Sequence, residues 1–391
     1  MSNSNNTYDY VFAGGGCAAL SLLCQMAKYN NLHHKKILVI DFQLKQSNDR
    51  TWSFWEKTPN NFSHIAAKTW NNLALNYNGT AQTVNISPYT YKTIFANDFY
   101  AEVHLQLKVF TQLTFVNETI INITNFNKEV LITTSQNTYK ATTAFNSIFN
   151  GDIIKKIKAE KTPFLWQHFI GFFVETPTHS FNTDVATWMD FGVPQQDNMS
   201  FMYILPFAPN KALIEYTVFS TNLLPNHVYQ NENHAYLAKL NITNYNIYHT
   251  EQYAIPMTSH KFIRQYKNII NIGSLGGATR ASTGFTFTGI QKQAKHIAHQ
   301  LAQNKKPQYK YSFNELKHLK FDATLLYILL TKKQTGEQIF GKLFAKIKLQ
   351  LLLKFLDGET TTKETLSIMK GTSFNVYIPA FLKALFKVKI K

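Results

Sequence analysis

The chain has 391 residues, 45% hydrophobic and 14% aromatic, which is long for a single core and suits two closely joined domains. Its 40 Lys and Arg against 23 Asp and Glu leave a formal charge of +17, yet no basic stripe is interleaved with a nucleic-acid-reading motif, so a nucleic-acid partner is not expected. Two cysteines, Cys17 and Cys24, have the spacing of neither a metal site nor a disulfide framework, which suits a reducing compartment.

In chain order, a polar tail over residues 1–6 leads into an apolar strand at Tyr8–Ala13, a glycine turn and an apolar helix. The turn reads Gly14-x-Gly16-x-x-Ala19, a dinucleotide-binding pattern with alanine in its last place. Gly14 permits the tight turn, Gly16 lets a pyrophosphate approach the backbone, and Ala19 lets helix and strand pack closely, with the helix N-terminus facing the anion. A second strand, Lys36–Ile40, ends in Asp41, the place for an acid that binds a ribose hydroxyl. Just beyond it, Asp49–Glu56 alternates charge with Trp52, Phe54 and Trp55. Arg50 there either approaches a cofactor phosphate or forms a surface pair beside core aromatics. Polar, Asn-rich strands and turns are expected over roughly 70–160, followed by the apolar stretch Phe164–Thr176, in which His168 reads as a structural hydrogen-bonding group.

Residues 199–220 read as a hairpin turning at Ala208–Lys211. In its second strand Leu213, Glu215, Thr217 and Phe219 share one face, and Ile214, Tyr216 and Val218 share the other. Glu215 either points to water or a lysine, or enters an apolar cavity where desolvation keeps it protonated and fit to act as a general acid. Ile255–His260 reads as strand into loop. Strand Ile269–Gly273 then enters a second small-residue loop, Gly273-Ser274-Leu275-Gly276-Gly277, with a helix from about Gly289 to Asn304 after it. Gly273, Ser274, Gly276 and Gly277 are expected at a cofactor, with N–H donors from the loop and the Ser274 hydroxyl on a ribityl oxygen. Two phosphate-type loops far apart favour FAD over a simple nicotinamide dehydrogenase. Residues 310–391 read as helical and basic, with ten Lys after Phe340. There Ile339–Leu356 mixes apolar and basic residues, and either lies in a membrane interface or packs on the protein. No signal peptide opens the chain, and no apolar run approaches the roughly 18 residues that span a bilayer.

The fold expected is α/β: a Rossmann-like, two-dinucleotide-type FAD-binding domain, an antiparallel-sheet substrate domain and C-terminal helices. The first part of the FAD domain is assigned to 7–80 and a mixed segment carrying the β-rich substrate domain to 81–255. The return to the FAD domain takes 256–310 and the helical basic region 311–391.

Taken in order, Asp9–Leu23, Asp49–Glu56, Gln167–Thr176, Phe201–Ser220, Ile255–His260 and Gly273–Phe287 resemble the FAD-dependent lycopene β-cyclases of carotenoid-making bacteria. The resemblance implies a flavoprotein of the p-hydroxybenzoate-hydroxylase type, with FAD bound non-covalently and reduced by NAD(P)H although the reaction is an isomerisation. That family's acid motif, Phe-Leu-Glu-Glu/Asp-Thr, falls on Leu213-Ile214-Glu215-Tyr216-Thr217, which makes Glu215 the essential first acid and puts tyrosine where the second stands. Lycopene and related acyclic or monocyclic carotenoids are the substrates implied. The expected setting is a membrane surface, cytoplasmic and peripheral to the inner membrane, with no obligate protein partner. An FAD-dependent monooxygenase or prenyl-chain reductase shares this fold, and a non-catalytic lipid carrier is a further alternative.

Overall fold

The computed structural model describes residues 6–43, 45, 47–160 and 162–385; Lys387, Lys389 and Lys391 of the basic tail lie outside this range. Strand Thr7–Ala13 is central in the first sheet. It pairs in parallel with Ile37–Asp41 on one side and Thr138–Asn146 on the other, and these pair in parallel with Leu113–Asn117 and Ile269–Asn271. Side chains alternate between two apolar layers. Phe12, Val39 and Phe145 face the helices Cys17–Met26 and Phe287–Ala302, while Val11, Leu38, Ile40 and Ala144 face strand Glu129–Thr134. Burial on both faces explains why Val11–Ala13 and Ile37–Ile40 read as unbroken apolar runs.

The second sheet has seven strands in the order Asn246–Thr258, Phe164–Glu175, Lys211–Ser220, Met199–Ala208, Val185–Asp190, Asn72–Tyr77 and Thr80–Asn85. All its pairings are antiparallel except Val185–Asp190 with Asn72–Tyr77. The hairpin expected at 199–220 forms, with Pro209-Asn210 between its strands. The chain thus enters this sheet at Asn72 and returns to the first sheet at Leu113. A three-stranded sheet, Thr51–Glu56, Thr90–Phe95 and Lys68–Trp70, sits between these passages in sequence. The expectation of only strands and turns over 70–160 is corrected by helices Ala96–Gln106 and Gly151–Ala159. The first buries Phe99, Tyr100 and Val103 on one side, a helical period hidden among polar residues.

One face of the second sheet carries Ile214, Tyr216 and Val218 against helix Asn226–Lys239, with Tyr229, Tyr236 and Leu237. Buried His168 belongs to that side, where its ring meets Ser220 Oγ at 2.7 Å and Tyr229 Oη at 2.6 Å, and burial lowers its pKa to about 4. The other face meets helices Gly336–Lys346 and Leu349–Leu356. Ile339, Phe344, Leu349, Leu352 and Leu353 are buried there, and Phe340, Leu343, Ile347 and Leu351 pack against the same core. Of the two readings of Ile339–Leu356, packing on the protein is the one that holds, because its apolar stripe is spent covering the sheet. Capping boxes start three C-terminal helices, with Ser312/Glu315, Thr335/Gln338 and Thr361/Glu364.

Phe54 joins the small sheet to the first core by stacking on Phe287 at 4.6 Å, fully buried. Phe54→Ala is expected to cost about 3–5 kcal/mol of unfolding free energy, measured by urea denaturation.

Candidate active site

The carboxyl ends of the parallel strands open onto one cavity of about 840 Å³, which continues along the inner face of the second sheet. Asp41 ends one of the five parallel strands, Gly14, Glu118, Ser147 and Gly273 come just past the ends of the other four, and all line it. This is the crevice where open α/β sheets bind ligands.

Gly14 takes φ +93°, and a Cβ there would meet Ser147 Oγ at 2.4 Å, so both backbone and space demand glycine. Asp41 braces the turn: its Oδ2 accepts from Gly15 N–H at 2.6 Å. A Cβ at Gly16 would meet nothing within 4 Å, so the backbone is bare on that side. The helix that follows has no side-chain cap, and Cys17 and Ala18 of its first turn line the cavity, leaving unsatisfied first-turn N–H groups beside an open space. A bare glycine backbone, an uncapped helix start and an acid at the second strand fit a dinucleotide. Ala19 is fully buried in the helix packing and does not reach the cavity.

The second loop divides its labour. Gly273 and Ser274 line the cavity, and the Ser274 hydroxyl is 2.9 Å from that of Thr279. Gly276 and Gly277 sit behind. A Cβ on Gly276 would meet Asn271 O at 2.4 Å, and Gly277, at φ +73°, is backed by Tyr311. The N–H groups of Gly273, Gly276 and Gly277 donate to Gln293 Oε1, Ile272 O and Ser274 O. The expectation that these three glycines supply donors to a ligand is corrected: their hydrogen bonds shape the loop, and Gly273 and Ser274 offer the contact surface. Arg50 lines the cavity, half exposed, with its guanidinium 4.5 Å from the Tyr253 ring centroid.

The inner face of the second sheet supplies Leu213, Glu215, Thr217 and Phe219, as alternation requires, together with aromatic Trp188, Phe201 and Tyr203. Trp52 and Tyr91 come from the three-stranded sheet, and Phe285 from the segment before helix Phe287–Ala302. Glu215 is 6% exposed. Thr217 Oγ1 donates to its Oε1 at 2.6 Å. Burial, and then the nearby Glu251, push the Glu215 carboxyl well above the usual range. Tyr216 points to the opposite face, fully buried, and its hydroxyl donates to Pro194 O at 3.1 Å. The motif's second acid position therefore faces away from the cavity.

Glu251 was not legible as a site residue. It is 7% exposed, lines the same cavity, and burial raises its pKa to about 7. Its sequence neighbourhood, His249-Thr250-Glu251-Gln252, is polar, and only strand pairing turns this glutamate inward. The one available signal was its place four residues before Ile255-Pro256-Met257.

A family model described as lycopene cyclase protein matches residues 9–380. No curated protein matches the chain. Among solved structures, a flavoprotein/dehydrogenase from Cytophaga hutchinsonii aligns with TM-score 0.63 at 9% identity, over 97% of this chain and 100% of that one. A p-nitrophenol 4-monooxygenase from Pseudomonas putida aligns with TM-score 0.59 at 13% identity, over 97% and 98%. A geranylgeranyl bacteriochlorophyll reductase-like protein from Thermoplasma acidophilum aligns with TM-score 0.58 at 12% identity, over 98% and 99%. These likenesses establish the shared α/β fold.

A carboxyl group whose folded pKa lies above its unfolded value stabilises the fold at low pH and loses that contribution as pH rises between the two values. For Glu251 the interval runs from the ordinary 4.5 to about 7. Glu251→Gln removes this loss. In urea denaturation from pH 4.5 to 7, its stability relative to wild type is expected to shift in the variant's favour as pH rises.

Proposed function

The chain belongs to the lycopene cyclase family, and from that premise we propose that it is a lycopene β-cyclase, converting the ψ-end groups of lycopene to β-ionone rings and so giving γ-carotene and β-carotene. The observation that carries this reading is a buried carboxyl group, Glu215, set among aromatic rings in the same cavity as the dinucleotide crevice. An apolar polyene offers an enzyme only shape and π bonds. Cyclising it needs a proton donor that keeps its proton, and so stays neutral, in an apolar site, and burial favours that state of Glu215.

Glu215 delivers its proton to C2 of the terminal C1=C2 bond, leaving a tertiary cation at C1. The C5=C6 bond attacks that centre, and loss of the C6 proton completes the ring. Thr217 fixes the orientation of the donor through its hydrogen bond to Oε1. Trp52, Tyr91, Trp188, Phe201 and Phe285 turn π density toward the cavity and exclude water from the cation. The Gly14–Ala18 turn, Asp41, Arg50, Gly273 and Ser274 would hold FAD, which, kept reduced by NAD(P)H, would supply negative charge to stabilise a cation without net redox change.

The substrate's home in a bilayer calls for peripheral docking, since no helix among the described residues is long and apolar enough to cross a membrane. Helix Phe374–Leu385 leaves Phe374, Ile378, Leu382 and Leu385 about half exposed along one stripe, in a strongly basic chain. This stripe is the docking element.

In lycopene-accumulating bacteria, wild type is expected to yield cyclic carotenes, and Glu215→Gln to leave lycopene, a loss of about 100-fold or more. A folded, FAD-loaded wild type that leaves lycopene untouched overturns the reading. Stoichiometric consumption of NAD(P)H would point instead to a reductase or monooxygenase. For docking, the double variant Ile378→Glu/Leu382→Glu is expected to weaken co-sedimentation with anionic vesicles about tenfold or more while leaving thermal stability unchanged.

A further inference from the structure

Four neighbouring strands place one residue each at the same level of the second sheet: Tyr203, Glu215, Gly171 and Glu251 in succession. Strands lie about 4.8 Å apart, so the two glutamates start about 10 Å apart with one strand between them. That strand carries glycine at this level. A Cβ on Gly171 would lie 2.7 Å from Leu213 Cδ1, 3.4 Å from Glu251 Cγ and 3.5 Å from Glu215 Cβ, so the two glutamates flank the place of the missing side chain, over which the tip of Leu213 leans. Both are buried, and both line the cavity that holds the aromatic rings. Neither forms an ion pair with a lysine or arginine among the described residues, whereas buried Glu56 has Lys92 at 2.8 Å.

We propose that Glu251 is the base of the cyclisation: Glu215 and Glu251 act as a carboxyl pair holding a single proton, one giving it to C2 and the other removing the proton from C6. This rests on the cyclase reading of the cavity. The balance closes without a co-reactant. Protonated Glu215 loses its proton as the C2–H bond forms. The C1–C6 bond then forms at the expense of the C5=C6 π bond. Carboxylate Glu251 takes the C6 proton, and the C6–H electron pair restores C5=C6. Transfer of that proton from Glu251 to Glu215 resets the pair. Since C2 and C6 are both bonded to C1, donor and acceptor must serve atoms of one small ring, which two acids flanking a single glycine can do.

Like charges this close in a dry site cannot both ionise, which is why one proton stays with the pair. The titratable groups around them are Tyr91 and Tyr203, joined by a 2.6 Å hydrogen bond, Tyr253 on the strand of Glu251, and the Asp49/Arg50 pair beside Tyr253. The three tyrosines have their pKa values raised by burial, so they stay neutral in the range where the acids titrate.

The test uses full-length, FAD-loaded protein with lycopene in vesicles, comparing wild type, Glu215→Gln, Glu251→Gln and Glu251→Asp. For Glu251→Gln, kcat is expected to fall about 100-fold or more with KM unchanged. The low-pH limb of the rate profile, where the base is protonated, should disappear. Residual rings should carry the double bond away from C5=C6, because the cation loses another proton. Glu251→Asp should restore part of the rate and the β ring. If Glu251→Gln keeps the wild-type rate, pH profile and product while Glu215→Gln is dead, the inference falls and the cyclase reading stands. If wild type makes no ring, the cyclase reading falls instead. Infrared titration of the carboxyl stretch then judges the pair by itself: in wild type one buried carboxylic acid persists to higher pH than in Glu251→Gln, and two independent titrations overturn the shared proton.

Discussion

Removing an ionisable carboxyl group from water without a cation to receive it is costly, and the second sheet does so twice at one level, at Glu215 and Glu251. The surrounding structure has to absorb that cost. On the far face of the same strands, Ile214, Tyr216 and Val218 lock against helix Asn226–Lys239, and His168 is held neutral between Ser220 and Tyr229. On the near face, helices Gly336–Lys346 and Leu349–Leu356 seal the sheet with Leu349, Leu352 and Leu353. Apolar burial on both sides keeps the acids in place, and the same burial raises both carboxyl groups above their usual range.

The cavity joins two chemistries that the chain supplies from different sheets. The parallel sheet contributes backbone, an uncapped helix start and Asp41. The antiparallel sheet contributes aromatic rings and acids. Trp52 and Phe285 adjoin both regions in sequence: Trp52 follows Arg50, and Phe285 follows the Gly273–Ser274 loop and precedes the helix that packs on helix Cys17–Met26. The two sheets therefore open onto a single enclosure.

The side-chain period of a strand governs what can substitute in the acid motif. Glu215 and Thr217 face the cavity, so a change at either alters its lining, whereas Tyr216 lies on the opposite face. A tyrosine there is read by the core, where its ring packs near Tyr229 and its hydroxyl finds Pro194 O. The same alternation gives Glu251 its importance. Register across Phe164–Glu175 sets it opposite the one residue in that strand with no side chain to separate it from Glu215.

Local patterns in the sequence determined the βαβ start, the Gly14/Gly16 turn, the hairpin at 199–220 and the inward face of Glu215, because a glycine turn, a two-residue side-chain period and a helix that begins at small residues are properties of neighbours along the chain. Tertiary structure decided the rest. Whether Ile339–Leu356 met lipid or protein depended on which surface its stripe would find, and the exposed face of the second sheet was there to take it. The loop glycines Gly276 and Gly277 turned out to face Asn271, Gln293 and Tyr311 because the loop folds back on its own hydrogen bonds. Glu251, 36 residues beyond Glu215 in a polar stretch, became its neighbour only through strand pairing, and burial and charge repulsion between residues so distant in sequence exist only once the sheet has formed.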